Sequence, residues 1–297
     1  MKIAITTPTG NIGRKVVNRL LDEGGHELVL LARNPSRLKD EKKRGVTIIK
    51  GDLTNSKYVQ KATKGVDMLF WINPVDLTAT DLEAFEMTLA DNATNAIRSN
   101  KIESVILLSS AGAHLATGEL GPITALHETE ERFKNICDNL TILRPSYLME
   151  NFLSEVPNIT QTNNISLPIK GNTKIPMIAT EDVAVAAVNT INAGFTGMNV
   201  VPLHGPREYT FDEAANIIGT AVGQSVDYVQ VTPQEAIDSL TGRGASRNVA
   251  DLMVQMYDAL DRGELKAELP RTNESTTPTT LENFAASVIV PALKTRD

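Results

Sequence analysis

The chain has 297 residues, a formal charge of −7, 41% apolar residues and one cysteine. Its length suits about two domain-sized units with a core that needs no covalent staples. The lone Cys137 excludes a disulfide framework and a thiolate zinc site, the acidic balance argues against a phosphate-backbone binder, and no apolar run reaches a membrane span.

Residues 1–145 alternate short β-rich runs with amphipathic segments. Strands are expected at Lys2–Thr6, Glu27–Ala32, Val46–Lys50, Val66–Ile72, Ser104–Leu108 and Leu140–Leu143. Between them, helices are expected at Asn11–Glu23, Pro35–Arg44, Asn55–Thr63, Leu82–Ser99 and Ile123–Cys137. Strands separated by helices pair in parallel through right-handed crossovers, and their continuous apolar character fits a sheet covered on both faces. The fold class is therefore α/β: a doubly wound parallel sheet of Rossmann type, with its ligand site at the carboxyl ends of the strands.

The pattern then loosens. Glu150–Lys174 reads as a polar loop, Ala179–Ile191 as a helix and Asn199–Leu203 as a seventh strand. Thr210–Val222 opens with a capping-box spacing, Thr210 to Glu213. Val226–Val231 reads as a strand, Pro233–Leu240 and Arg247–Leu260 as helices, Arg271–Thr280 as a surface loop, and Leu281–Leu293 as a last helix. The expected organisation is a cofactor domain over 1–150, completed by about 175–205, and a smaller C-terminal α+β substrate lobe from 151–174 and 206–297.

The turn after the first strand is Thr6-Thr7-Pro8-Thr9-Gly10-Asn11-Ile12-Gly13. Against G-x-x-G-x-x-G, Gly10 and Gly13 stand and Thr7 replaces the first glycine. Gly10 lets backbone approach a pyrophosphate, Gly13 lets the helix pack close, and the helix N-terminus offers amides and positive dipole. Twenty residues on, Arg33 ends strand two where an NAD site usually has an acid. With Arg37 and Lys39, and Arg14 beside them, it suits the 2′-phosphate of NADP(H), preferred over NAD(H). A solvated basic face would read the same. Asp52, followed by Leu53, can accept from an adenine amino group, or can simply form a turn before Asn55. Asn73 and Pro74 end strand four, where backbone borders a cofactor; Trp71 suits either that role or core packing.

Several segments in fixed order carry a resemblance: TTPTGNIGRKVV, LLARNPSRL, GDL, VILLSSAGA, LHETEERF, TILRPSYLMENF and PMIATEDVAVAAV. Together they resemble the NmrA-like branch of the atypical short-chain dehydrogenase/reductases, over most of the chain. The resemblance is strongest to its NADPH-dependent quinone, triphenylmethane and ergot-alkaloid reductase members. It implies that Thr9, Gly10, Asn11, Ile12 and Gly13 line the diphosphate and that Arg33 faces the 2′-phosphate. It also implies that Asn73 and Pro74 border the nicotinamide-side ribose, that Ser109 and Ser110 lie below the nicotinamide, and that Pro145–Asn151 border a substrate cleft.

Ordinary short-chain dehydrogenases place Lys four residues after a catalytic Tyr. After the five tyrosines here stand Ala62, Asn151, Glu213, Thr232 and Asp261, so the dyad is absent. The helix offers His127 and Glu131 on one face instead, and His127 is a candidate proton donor unless it is a surface residue of an acidic helix. Tyr147 is the second catalytic candidate. It also belongs, with Met149, Asn151 and Phe152, to the expected substrate wall. Ser109-Ser110 forms no nucleophile elbow, the four histidines show no metal spacing, and Asp182 reads as a helix cap.

Two functions fit: an NADPH-dependent reductase passing hydride to a small conjugated electrophile such as a quinone, or a catalytically silent NADP(H)-sensing regulator with a protein partner. Either is expected to be soluble and cytoplasmic, without membrane or nucleic-acid partners or a metal; a homodimer is compatible with the sequence.

Overall fold

The computed structural model describes residues 1–294. The first half runs β1 (Lys2–Thr6), α1 (Asn11–Glu23), β2 (Glu27–Ala32), α2 (Lys39–Lys43), β3 (Thr47–Lys50), α3 (Ser56–Ala62) and β4 (Met68–Trp71). It continues with α4 (Leu82–Asn100), β5 (Ser104–Leu108), α5 (Pro122–Lys134) and β6 (Asn139–Pro145). The expected helix over 35–44 is broken in two. Asn34 caps a short 3₁₀ turn at Pro35–Arg37, and Leu38, driven into the core, leaves helical geometry at φ −122° and ψ 36° before α2 begins.

Next come β7 (Tyr147–Leu148), α6 (Val156–Thr162), β8 (Asn164–Leu167), β9 (Lys174–Ile178), α7 (Thr180–Ala193) and β10 (Met198–Leu203). The segment expected as a loop over 150–174 is thus largely ordered. It holds a 3₁₀ stretch at Met149–Glu155, then α6 and β8. Its apolar residues are sparse but all turned inward: Phe152, Val156, Ile159, Ile165 and Ile169 are buried. Asn163, left-handed at φ 56°, ends α6.

The central sheet has the order β10-β6-β5-β4-β1-β2-β3, and every ladder in it is parallel. β10 is the expected seventh strand. The strand order reverses between β1 and β4, which puts a topological switch point there. One face of the sheet packs Ile3, Ile5 and Phe70 against Val16 and Val17 of α1 and Val183 and Ala187 of α7. The other packs Ala4, Leu69 and Val105 against Leu89 and Ala93 of α4 and Phe133 of α5. Two covered faces account for the apolar strands.

The remainder is β11 (Glu208–Thr210), α8 (Phe211–Val222), β12 (Asp227–Gln230), α9 (Pro233–Gly242), α10 (Arg247–Asp261), α11 (Leu281–Phe284) and α12 (Val290–Lys294). The capping box of α8 is formed, with Thr210 and Glu213 satisfying each other's backbone amides. A π turn at Ala285–Ile289 joins α11 to α12, just before Pro291, which has no amide hydrogen to give. β11 and β7 flank β9, and β12 pairs with β8, around a second core that includes Met149, Phe152, Tyr209, Phe211 and Phe284.

Two expectations about this region are corrected. Asp182 does not cap α7. Its carboxylate instead accepts from the Thr279 amide (3.0 Å) and hydroxyl (2.7 Å), across 97 residues. The Arg271–Thr280 segment is no simple surface loop. Ser275 and Thr277 are buried, and the segment is laced to His204 by Ser275 O (2.8 Å) and the Thr277 amide (3.1 Å).

Candidate functional site

Two hollows open at the carboxyl ends of the strands. The first, about 190 Å³, is lined by residues that include Thr7, Thr9, Arg33, Asp52, Leu53 and Pro74. The turn from β1 to α1 sets its floor. Thr7 takes the left-handed backbone, φ 49°, that the first glycine of such a loop usually supplies. Its hydroxyl donates to Ile72 O (2.8 Å), and its carbonyl accepts from the Gly10 amide (3.1 Å). Thr6 holds the same residue from both sides, donating to Ile72 O (2.9 Å) and accepting from its amide (2.7 Å).

The two glycines are needed for space. A Cβ on Gly13 would sit 2.3 Å from Thr7 O, and one on Gly10 would sit 3.2 Å from Thr7 Cγ2. No side chain caps α1 and its first turn holds no acid, so its dipole is free to meet an anion. Asn11 is exposed, whereas the Ile12 side chain serves the core.

At the rim, Arg33 and Arg37 are exposed, and neither guanidinium has a hydrogen bond or ion pair among the described residues. Arg14 donates to Arg37 O (3.2 Å) and closes the patch. Arg33 is felt by Asp76, whose carboxyl is held below its usual range first by the Thr78 hydroxyl and amide and then by that arginine. One oxygen of Asp52 accepts from the Thr54 amide (2.9 Å) and hydroxyl (2.8 Å), so this residue both makes a turn and faces the hollow. Leu53 is buried, with its carbonyl held by Asn92 (2.9 Å). Phe85 of α4 adds an aromatic wall.

The Asn73 amide is engaged at both ends, accepting from Trp71 Nε1 (2.6 Å) and donating to Glu86. Burial pushes the Glu86 carboxyl up to about 7, against the pull of the Asn73 amide. The folded protein therefore holds this proton more tightly than the unfolded chain does. Stability should fall as pH rises from the ordinary 4.5 to about 7, and level off above. Glu86→Gln should flatten the melting-temperature profile across that window; an unchanged profile would remove Glu86 as its cause.

The second hollow, about 180 Å³, lies beyond the ends of β5 and β6. Its walls are mostly apolar, with Ile123, Leu148, Ile175, Met256 and Leu260 among them, and Ser110, Ser146, Tyr147 and Asn151 supply its polar groups. Ser146 Oγ and the Tyr147 hydroxyl are buried without a hydrogen bond of ordinary geometry. Burial drives the Tyr147 phenol well above its usual value, with Tyr257 adding to the shift, so it stays protonated. Tyr147 packs edge-on against Phe211, with centroids 5.6 Å apart.

Ser109 and Ser110 part company here. Ser110 lines the hollow, while Ser109 donates to Glu130 Oε1 (2.6 Å). Glu130, which the sequence places on an acidic face, is fully buried and paired with Arg144, itself 4% exposed. Arg144 reaches on to Glu268 (2.5 Å). Nothing in the spacing of these residues revealed this network.

The other candidates do not all converge. His127 lies outside both hollows, its Nδ1 2.9 Å from Ala113 O, where it braces the loop after β5. Met149 and Phe152 are fully buried in the second core, behind the wall rather than on it. Asn151 does face the cavity. Burial pushes the Cys137 thiol up to about 12, which leaves it inert. Among the described residues no group of three His, Cys, Asp or Glu could hold a metal, and no helix is long and apolar enough to cross a membrane.

Comparison with known proteins bears on the fold and the family. The chain is 26% identical over 258 residues to the NAD(P)H azoreductase of Xenophilus azovorans, covering 86% of each. It superposes on a nucleoside-diphosphate-sugar epimerase of Staphylococcus aureus with a TM-score of 0.83 at 19% identity, over 97% of this chain and 100% of that one. Against an NADPH-dependent quinone oxidoreductase of Escherichia coli in complex with NADPH, the TM-score is 0.81 at 23% identity, over 97% and 99%. At these identities the two structures speak to the fold alone. The family model of the NmrA-like family matches residues 1–285. With a parallel sheet of Rossmann type and a match over nearly its whole length, the chain belongs to the NmrA-like family.

Proposed function

We propose that the protein is an NADPH-dependent reductase of a small conjugated acceptor, with a quinone as the best candidate. One observation carries this reading. A basic hollow with two unpaired arginines and an apolar cavity bordered by Ser110, Ser146 and Tyr147 both open at the carboxyl ends of one parallel sheet. The cofactor relation of the Xenophilus azoreductase supports the same reading.

The residues present fit the cofactor. The close turn at Gly10 and Gly13 and the uncapped start of α1 would take the diphosphate. Arg33 and Arg37 would take the 2′-phosphate, and Asp52 with Phe85 the adenine. Ser110 and the Pro145–Asn151 segment would border the nicotinamide and the acceptor. NADPH supplies a hydride when bound; the protein's own share is placement. Ser146 and Tyr147 donate hydrogen bonds to the acceptor oxygen as it gains charge, and the apolar walls exclude competing water. Tyr147, held protonated, serves only as a donor. The final proton comes from solvent, which is why neither the Tyr-Lys dyad nor His127 is required.

Arg33→Ala tests the cofactor half. A lost charge-assisted contact should weaken NADPH binding by about 10- to 100-fold and leave NADH binding nearly unmoved. Equal losses in a fluorescence titration would sink the 2′-phosphate role. Steady-state NADPH oxidation against quinones, enones, imines and triarylmethane dyes tests the chemistry. Cofactor binding with no turnover on any of them would favour the sensor reading, which the missing dyad supports.

A further inference from the structure

The apolar cavity does not end at its own rim. A neighbouring hollow of about 220 Å³ shares Ile175, Pro176, Leu260, Leu265 and Ala267 with it. The far end of this hollow changes character. Lys174, Lys266, Arg271 and His204 gather there against a single carboxylate, Glu208. Three fixed cations against one anion leave two positive charges, in a chain whose total is −7.

Two atoms at that end are buried without a partner: His204 Nε2 and Arg271 Nη2. His204 is only 4% exposed. Both residues are held, His204 through its backbone and Arg271 through its guanidinium. The His204 amide donates to Ser275 O (2.8 Å), its carbonyl accepts from the Thr277 amide (3.1 Å), and Arg271 donates through Nη1 to Gly205 O. The backbone cannot retreat there, because a Cβ on Gly205 would already lie 1.5 Å from Met177 O. Buried polar atoms in folded proteins are nearly always paired. A guanidinium N–H and an imidazole nitrogen left open together, beside two lysines, form a receptor for oxyanion oxygens.

We propose that this hollow is an anion subsite of the substrate cavity. The acceptor is then a conjugated ring system lying along the shared apolar wall, with a carboxylate, sulfonate or phosphate on its far end facing Arg271 and His204. The inference rests on the reductase reading for the ring, and on the unpaired Arg271 nitrogen and the positive balance around it for the anion. Lys174 and Lys266, both exposed, add long-range attraction, which salt should screen.

The test compares naphthoquinone with naphthoquinone sulfonate as acceptors, with NADPH, for the native protein, Arg271→Gln and Lys174→Gln. The sulfonate should have a kcat/KM at least about tenfold higher, and Arg271→Gln should bring the ratio close to one. Lys174→Gln changes an exposed side chain, should leave the melting temperature unaltered, and should lower the ratio less, in a salt-dependent way. Equal kcat/KM values for the two quinones, with a ratio unmoved in Arg271→Gln, would overturn the subsite while leaving the reductase reading intact. If neither quinone is reduced, the quinone as acceptor fails, and calorimetry with naphthalene sulfonate against naphthol decides the subsite. Sulfonate binding that is lost in Arg271→Gln supports it; no preference for the sulfonate overturns it.

Discussion

Arg144→Leu is expected to destabilise the protein by about 3–5 kcal/mol, the usual cost of stripping one partner from a buried ion pair. Glu130 is fully buried and receives Arg144 Nε at 2.9 Å, a second guanidinium nitrogen, and the Ser109 hydroxyl. Without the arginine that carboxylate keeps only Ser109 and Lys134, the latter at 3.4 Å and partly exposed. Lys134 softens the loss but does not restore the two-pronged contact. Glu268 is also freed, and with it the tie between β6 and the segment that carries Leu265 and Ala267 of the cavity wall. The double variant Glu130→Leu with Arg144→Leu should recover most of the stability, since the cost lies in the unpaired charge rather than in the missing bond. Urea denaturation of the two single variants and the double one checks this. A single-variant loss below about 1 kcal/mol would mean that Lys134 takes over the pair.

Gly13→Ala should be the most damaging single methyl group for cofactor binding. Its Cβ would meet Thr7 O at 2.3 Å, Thr7 C at 3.0 Å and Pro8 Cα at 3.2 Å, all backbone atoms. The loop has little room to yield. Thr7 already occupies a left-handed conformation that costs a β-branched residue about 1–2 kcal/mol, and its hydroxyl is tied to Ile72. Overpacking of this kind costs about 1–3 kcal/mol in stability. Because the displaced atoms form the floor proposed for the diphosphate, NADPH affinity should fall by more than the about tenfold that 1.4 kcal/mol represents. Thr7→Gly is the contrasting control. It relieves the backbone strain, loses one hydrogen bond, and should stay within about 1 kcal/mol of the native protein. Native-like NADPH binding by Gly13→Ala would show that the turn is not the phosphate floor.

The sheet was legible because its signal is local. Runs such as Glu27–Ala32 and Ser104–Leu108 are apolar throughout, and amphipathic helices separate them. The rim of the first hollow was legible for the same reason, since Thr7, Arg33 and Asp52 each stand just past the end of a strand. What was hidden depends on partners far along the chain. Glu130 looked like surface because its neighbours Glu128 and Glu131 are charged; only Arg144 explains its burial. Asp182 looked like a cap until Thr279 came to meet it. His204 and Arg271, 67 positions apart, share no motif that links them. The 150–174 segment misled because helix α6 is seven residues long, too short for periodicity to show.

The position of β10 has a consequence for synthesis. This strand fills the sheet edge beside β6, yet the chain passes through β7, β8 and β9 before reaching it. During translation, β6 therefore presents an open row of backbone donors and acceptors until residue 203 has left the ribosome. The strap that fastens His204 and α7 arrives later still, at 275–279. Neither half of the molecule is finished before the other has begun, so a nascent chain stalled near residue 190 would carry a sticky edge that the completed protein never shows.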